Sequence, residues 1–476
     1  MSVAALTRDP ATSLDALAEL TPPPSPAGPV GDDVPVRMPP ARGGSRFLQT
    51  IRFVMRPLTS SLAGRRDFGD TWQVQLLSRG EAFVITTHPD HVQSLFKAKG
   101  DDAPSLTGES PLRPILGPNS VLTSVGARHM RQRKLLLPPF HGESVQRYVQ
   151  MISDVAEHEI DSWPTGKPFA LAPRMQAVTL DVIMGGVFGI GTKPPFGSPE
   201  HRMRETIRQL LLASTRPIYQ LIELQNAGRR EPTGILRVLL GLLDRQIYAV
   251  IRKRRAQGSD SESHDVLSLL LRARDEDGAA LTDQELRDEL LTLVLAGHET
   301  TANSLAWTFE RLLRNPEPYA RLRELVRSDD ELADDYAEAT IHEGMRVRPV
   351  IPMIVRMVNR RWQLGDYVVP ARTPVAVNIV AVHHREDVYP DPFRFAPERF
   401  VSHKPGTYTW IPFGGGIRRC LGATLAMAEQ RVVLRAIARR TDLAAPDPKP
   451  EPARQRNVTM IPRGGGRVIV TQKLSA

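Results

Sequence analysis

Apolar and polar positions divide this chain into a short strand-rich beginning, a long helical middle and two further strand-rich stretches. From Asp70 to Leu95, Trp72, Val74 and Leu76 alternate with polar residues, and Phe83-Val84-Ile85 after Gly80 predicts the partner strand of a hairpin. Pro89 then opens a helix. From about Glu143 to Arg440 the helical period dominates, through 145–163, 177–188, 266–273 and 319–326. Strands return over 354–380, with Gly365-Asp366 as a turn, and Gly464-Gly465-Gly466 before Val468-Ile469-Val470 predicts a last hairpin. The pattern is mainly α with small β-sheets, and it contains no internal repeat.

The longest predicted helix is also the oddest. Thr282 and Glu285 form a capping-box start, apolar positions continue through Leu286, Leu290, Leu293, Trp307 and Leu312, and Asn315-Pro316 stops it. At 1.5 Å per residue it is a rod of roughly 45 Å. Its middle, Ala296-Gly297-His298-Glu299-Thr300-Thr301, sets a glycine, two hydroxyls and two titratable groups in an apolar context, where glycine costs about 1 kcal/mol against alanine.

Composition narrows the classes. With 476 residues, 41% hydrophobic and 24% charged, the chain can bury a sizeable core. Part of its excess of proline lies between Pro22 and Pro40, so residues 1–45 read as a Pro-rich, loosely ordered leader and 46–476 as a single catalytic domain. The net charge of +9 invites a nucleic-acid reading, but the basic residues are dispersed. The densest run, Arg252-Lys253-Arg254-Arg255, closes a helix, where cations suit the dipole and solvent. A single cysteine forbids an intramolecular disulfide and fits a reduced, cytoplasmic setting. No signal peptide and no apolar run of membrane-spanning length is visible.

That cysteine lies in Pro412-Phe413-Gly414-Gly415-Gly416-Ile417-Arg418-Arg419-Cys420-Leu421-Gly422. Successive glycines let backbone approach a flat ligand, and the helix predicted over 421–438 favours a thiolate at its N-terminus. Gly186-Val187-Phe188-Gly189-Ile190-Gly191 carries its glycines in the reverse of the dinucleotide order and without a preceding strand, and His383-His384 would point to opposite faces of a strand end. Neither predicts a site.

The stretch from Phe413 through Gly416, Arg418 and Cys420 to Gly422 resembles the haem-binding signature of the cytochrome P450 family. Glu343-Gly344-Met345-Arg346 resembles that family's E-x-x-R helix and Pro397-Glu398-Arg399-Phe400 its PERF segment, both in the right order before Cys420. The resemblance covers the chain from about residue 45 onward and implies the family's triangular-prism fold and one haem b (iron protoporphyrin IX). By it, Cys420 is the axial thiolate, Arg418 pairs with a propionate, and Phe413, Gly414, Gly422, Ala296 and Gly297 adjoin the macrocycle. His129 and Arg133, on one helix face, and Arg356 are further propionate candidates. Glu343, Arg346 and Arg399 are implied to form a buried structural triad. Ala296–Thr300 resembles the oxygen-activation motif of a locally distorted helix, with Thr300 and Glu299 as catalytic residues.

The same resemblance implies a soluble, bacterial-type monooxygenase inserting one atom of dioxygen into a mostly apolar substrate: a fatty acid, terpenoid, steroid or macrolide-like molecule. Leu116, Val121, Leu293, Ala296, Ile351, Met353 and Met460 are the implied pocket. Electrons from NAD(P)H would arrive through a ferredoxin or flavodoxin and its reductase, Arg418-Arg419 offering an acidic donor a docking point. A monomer without nucleic acid or membrane anchor is expected. A peroxygenase or isomerase is the alternative on the same haem, disfavoured by the Glu299-Thr300 pair, and a cofactor-free basic helical binding protein is the alternative from another class.

Overall fold

The computed structural model describes residues 17–77, 82–99, 101–106, 112–140, 142–191, 194–214, 226, 229–257 and 264–475; Gly80 lies outside them. The chain divides into two compact units, Met1–Pro104 with Ala156–Gln176 and Thr300–Ala476, and Ser105–Val155 with Ala177–Glu299.

In the first unit the expected hairpin forms, with Thr71–Gln75 antiparallel to Ala82–Thr86 and Trp72 opposite Ile85. The second strand pairs in parallel with Thr373–Asn378, which pairs antiparallel with Met353–Val358. Every residue of Thr373–Asn378 is buried, because both of its faces are covered. Trp362–Leu364 and Tyr367–Val369 turn through Gly365 at φ +64°. The expected last hairpin differs. Arg467–Lys473 pairs with Pro168–Ala170 and Thr441–Ala444, and the hairpin in this region is instead Ala453–Arg456 with Thr459–Pro462, turning at Asn457, φ +50°.

Residues 17–45 are more ordered than a loose leader. Ala27–Pro29 adds an edge strand beside Trp362–Leu364, and Arg37 bridges to Val368. The Glu19 carboxylate accepts from the Tyr389 hydroxyl (3.0 Å) and from Thr409 Oγ1 (2.7 Å). Proline fixes an extended backbone here, and extended backbone is what a sheet edge can pair.

Helices Ala333–Val347 and Ala423–Arg440 pack together, and the first carries a buried ionic cluster. Glu343 accepts two bonds from Arg346, both 2.7 Å, and lies 3.5 Å from Arg399 Nε. Both side chains of the Glu343–Arg346 pair are wholly buried, which leaves solvent no share in their charge. Arg346 also donates to the carbonyls of His383 and Pro392 (2.8 Å each), and the Ala396 N–H reaches Glu343 Oε1 at 2.9 Å. One carboxylate and one guanidinium therefore gather three chain segments.

The second unit is helical. Leu286, Leu290, Leu291 and Val294 of the helix Asp283–Leu312 are buried, as are Leu243, Ile247 and Val250 of the helix Gly234–Ala256. The capping box is present, with Thr282 N–H to Glu285 Oε2 at 2.9 Å and the return bond at 3.2 Å. The basic run lies at the solvent-exposed end of its helix, as expected, and is partly paired there: Lys253 with Glu200 (2.6 Å), Arg255 with Asp283 (2.7 Å), and the less exposed Arg254 with Asp265 and the Phe188 carbonyl. Gly189, at φ +63°, simply ends the helix Leu171–Phe188.

Two outcomes are expected. Glu343→Ala strands two buried guanidiniums at a cost of about 3–5 kcal/mol, so folded yield and melting temperature should both fall steeply; a wild-type melting curve would contradict the cluster's role. Burial pushes the Glu429 carboxyl, on Ala423–Arg440, up to about 8. Its folded value lies above its unfolded one, so the stability it contributes below about pH 4.5 is lost as pH rises toward 8. Unfolding of Glu429→Gln across this range should show the variant gaining on wild type by roughly 1 kcal/mol per pH unit. A constant difference would show Glu429 to be ionised in the fold.

Candidate active site

The segment carrying Cys420 is fixed from both ends. Upstream, the Ile411 N–H donates to His383 Nε2 (2.9 Å), while His383 Nδ1–H donates to the Arg346 carbonyl (3.1 Å). Burial lowers the His383 ring to about 3, which keeps it neutral and able to donate from one nitrogen and accept at the other. Trp410 donates its indole N–H to the His342 carbonyl (3.0 Å) and stands edge-on to His342 and Phe413. Downstream, the Cys420 N–H closes the loop onto the Phe413 carbonyl at 2.9 Å.

The glycines between these points are dictated by contact and by conformation. Gly414 and Gly416 have φ of +67° and +62°, the left-handed region. A Cβ on Gly416 would come within 2.0 Å of the Phe96 carbonyl oxygen, and one on Gly415 within 2.2 Å of the Phe96 ring. The loop is thus pressed onto the helix Pro89–Lys97. The Cys420 side chain is exposed, and Gly422 is the N-cap of Ala423–Arg440, so the sulfur stands just before the positive end of an 18-residue helix. Arg418 is half-buried in the short turn Gly416–Arg418.

Arg356 supplies an independent sign of a missing anion. It is 5% exposed and lies over the Phe96 ring at 5.7 Å; burial lowers its guanidinium to about 10. No carboxylate pairs with it among the described residues. A desolvated guanidinium without a counter-ion is costly, and an anionic group brought by a ligand would remove that cost. An exposed sulfur on a glycine loop and a buried cation against the same phenylalanine fit a haem with its propionates.

In the second unit, His129 is 3% exposed and donates from Nδ1 to the Val121 carbonyl (3.1 Å). The Val121 N–H in turn donates to Glu289 Oε1 (2.8 Å), whose carboxyl burial raises well above the usual range. Arg133, one helical turn beyond His129, is half-buried. The sequence offered no sign of Glu289, and it placed His383 at a strand end without a role, whereas His383 closes the short helix Ile379–His383. A lone acid on an apolar helix face and one of two adjacent histidines carry no motif, and their partners are backbone groups far away in sequence.

The helix Asp283–Leu312 runs unbroken through Ala296–Thr301, where a local distortion was expected. Gly297 instead serves packing: a Cβ there would lie 2.6 Å from Ile183 Cδ1. Thr179 Oγ1 donates to the His298 carbonyl at 2.9 Å. Ala296 is exposed, and Leu293, Glu299 and Thr300 are half-buried.

Of the implied pocket residues, Leu116, Val121, Leu293 and Ala296 belong to the second unit and Ile351, Met353 and Met460 to the first. Leu116 and Met460 are enclosed, at 1% and 0% exposure, and the Met460 carbonyl accepts the Trp307 indole N–H (3.0 Å). Ile351 packs against the core cluster that contains Val84 and Val377, and Met353 lines a small cavity with Gln49, Phe53 and Trp72.

Comparison with known proteins points one way. The family model described as Cytochrome P450 matches residues 55–470. Cytochrome P450 138 of Mycobacterium tuberculosis is 35% identical, with 94% of this chain and 98% of that protein covered. Cytochrome P450 137 of the same organism is 36% identical, with 85% and 83% covered. Among solved structures, retinoic acid bound cyanobacterial CYP120A1 superposes with a TM-score of 0.72, and the cytochrome P450DA heme domain with 0.75. Each is 22% identical and fully covered, against 92% and 93% of this chain, so these two carry the fold. The protein belongs to the cytochrome P450 family.

Proposed function

We propose that this haem-thiolate monooxygenase acts on a mostly apolar organic molecule of the fatty acid, terpenoid, steroid or macrolide-like class. Electrons would come from NAD(P)H through a separate ferredoxin or flavodoxin and its reductase. The observation that carries the reading is the pairing of an exposed Cys420, whose loop is pressed through Gly415 and Gly416 onto Phe96, with the counter-ion-less Arg356 over the same ring. A cysteine for the iron and an anion receptor for a propionate are what haem b requires. The retinoic acid bound in the cyanobacterial structure is consistent with an apolar substrate class. Among the described residues no helix is long and apolar enough to cross a membrane. We assign the protein to the cytoplasm as a monomer.

Cys420 would hold the iron, and Arg356, Arg418, His129 and Arg133 the propionates. Bound haem supplies the capacity to reduce dioxygen and transfer one of its atoms, a reaction that consumes two electrons and two protons and releases water. His129 already spends its Nδ1 proton on the Val121 carbonyl, so it can donate to a propionate only as an imidazolium, from Nε2. Glu299 and Thr300 are consecutive and half-buried in the long helix, a placement between solvent and interior that suits a carboxyl passing protons to a hydroxyl. Ala296, exposed in mid-helix with no side chain beyond Cβ, leaves room beside that pair. Leu293 and Ile351, each only partly buried, are the proposed apolar contacts of the substrate, whereas Leu116 and Met460 are enclosed and Met353 faces the small cavity beside Trp72.

The test is made with purified protein and its electron donors, after screening apolar compounds for the haem spin-state change that accompanies loss of an iron-bound water. With such a substrate, Thr300→Ala should keep consuming NAD(P)H while product falls and hydrogen peroxide rises. Glu299→Gln should chiefly slow turnover, by about 10²–10⁴-fold. Coupling of electrons to product at the wild-type ratio in Thr300→Ala would make Thr300 a packing residue only.

A further inference from the structure

The helix Arg46–Met55 presents its apolar side to solvent. With 3.6 residues per turn, Val54, Phe47, Ile51, Met55 and Leu48 fall on one continuous arc of roughly 120°. These are the residues that face outward, at 38%, 58%, 40%, 48% and 50% exposure. The inward side is carried by Gln49, whose amide donates to the carbonyls of Arg42 (3.0 Å) and Gly44 (3.1 Å) and whose oxygen accepts the Gln75 N–H (3.0 Å). A helix that completes a core turns its apolar stripe inward; this one is fastened by a glutamine and leaves the stripe outside. Leu77, 58% exposed, adjoins the arc through its N–H bond to Thr50 Oγ1 (3.0 Å).

Charge narrows the choice of partner. Between Asp33 and Asp67 the chain has no acidic residue and seven arginines. Arg52 is exposed just beyond the arc and Arg56 is exposed at the helix C-cap, and no carboxylate pairs with either among the described residues. The hairpin 453–462, which packs beside this helix, adds Arg454 and Arg456 and again no acid. A second copy of the chain would bring the same arginines to face these, and like charges oppose such a contact. A convex apolar arc bordered by arginines, on a helix far too short to span, is the form that lies flat in a lipid interface.

We propose that this helix docks the protein on an anionic bilayer surface. The arc sinks into the boundary between headgroups and acyl chains, and Arg52 and Arg56 meet lipid phosphates. Apolar substrates partition into the same layer.

The test is sedimentation of the holoprotein with vesicles of phosphatidylcholine alone, or of equal parts phosphatidylcholine and phosphatidylglycerol, at low and high salt. Wild type should co-sediment with the anionic vesicles, less so at high salt. The pairs Phe47→Ser with Ile51→Ser, and Arg52→Glu with Arg56→Glu, should each lower binding by roughly tenfold or more, with melting temperature and haem absorption unchanged. Either pair suffices should the other fail to fold. Wild type left in the supernatant, or both variants binding as wild type does, would overturn the proposal. So would a wild-type dimer in analytical ultracentrifugation that the Phe47 and Ile51 changes abolish, since a second copy would then be the occupant.

Discussion

The buried contact between Glu343 and Arg346 is the interaction on which the Cys420 loop depends. Its strength comes from desolvation. Two opposite charges with no access to water must satisfy each other and every remaining donor from the protein, and Arg346 does so by reaching the carbonyls of His383 and Pro392. His383 passes the constraint on, through its neutral ring, to the Ile411 N–H. Ile411 lies two residues before Phe413, whose carbonyl receives the Cys420 N–H. A rigid ionic cluster is thereby joined to the backbone of the proposed iron ligand by a run of hydrogen bonds.

Phe96 complements that chain from the other side. Its carbonyl and ring forbid side chains at Gly416 and Gly415, and its ring underlies the Arg356 guanidinium. The loop and the Arg356 guanidinium therefore share Phe96 as a support, and the cost of burying Arg356 alone calls for an anionic ligand beside it.

Much of this was legible in the sequence where a local rule acts. The hairpin around Trp72 follows from strict alternation, the start of the long helix from Thr282 and Glu285, and the bent, closely packed loop before Cys420 from its successive glycines. What escaped depends on contacts across the fold. Glu289 and His383 bond to backbone groups that no spacing announces, and Gly297, read as a cause of distortion, accommodates Ile183. Residues 17–45 looked unanchored because the partners of Glu19 and Ala27–Pro29 lie more than 300 positions away. The Gly464–Gly466 turn misled for a like reason: Arg467–Lys473 pairs with strands distant in the chain rather than with its neighbour.

The central claim is that this loop presents Cys420 to iron as a thiolate. Absorption of the reduced protein under carbon monoxide tests it most directly. The account predicts the red-shifted Soret band of thiolate-ligated haem in wild type and its loss in Cys420→Ser; a wild-type band at the shorter wavelength of non-thiolate haem, in undamaged protein, would contradict it.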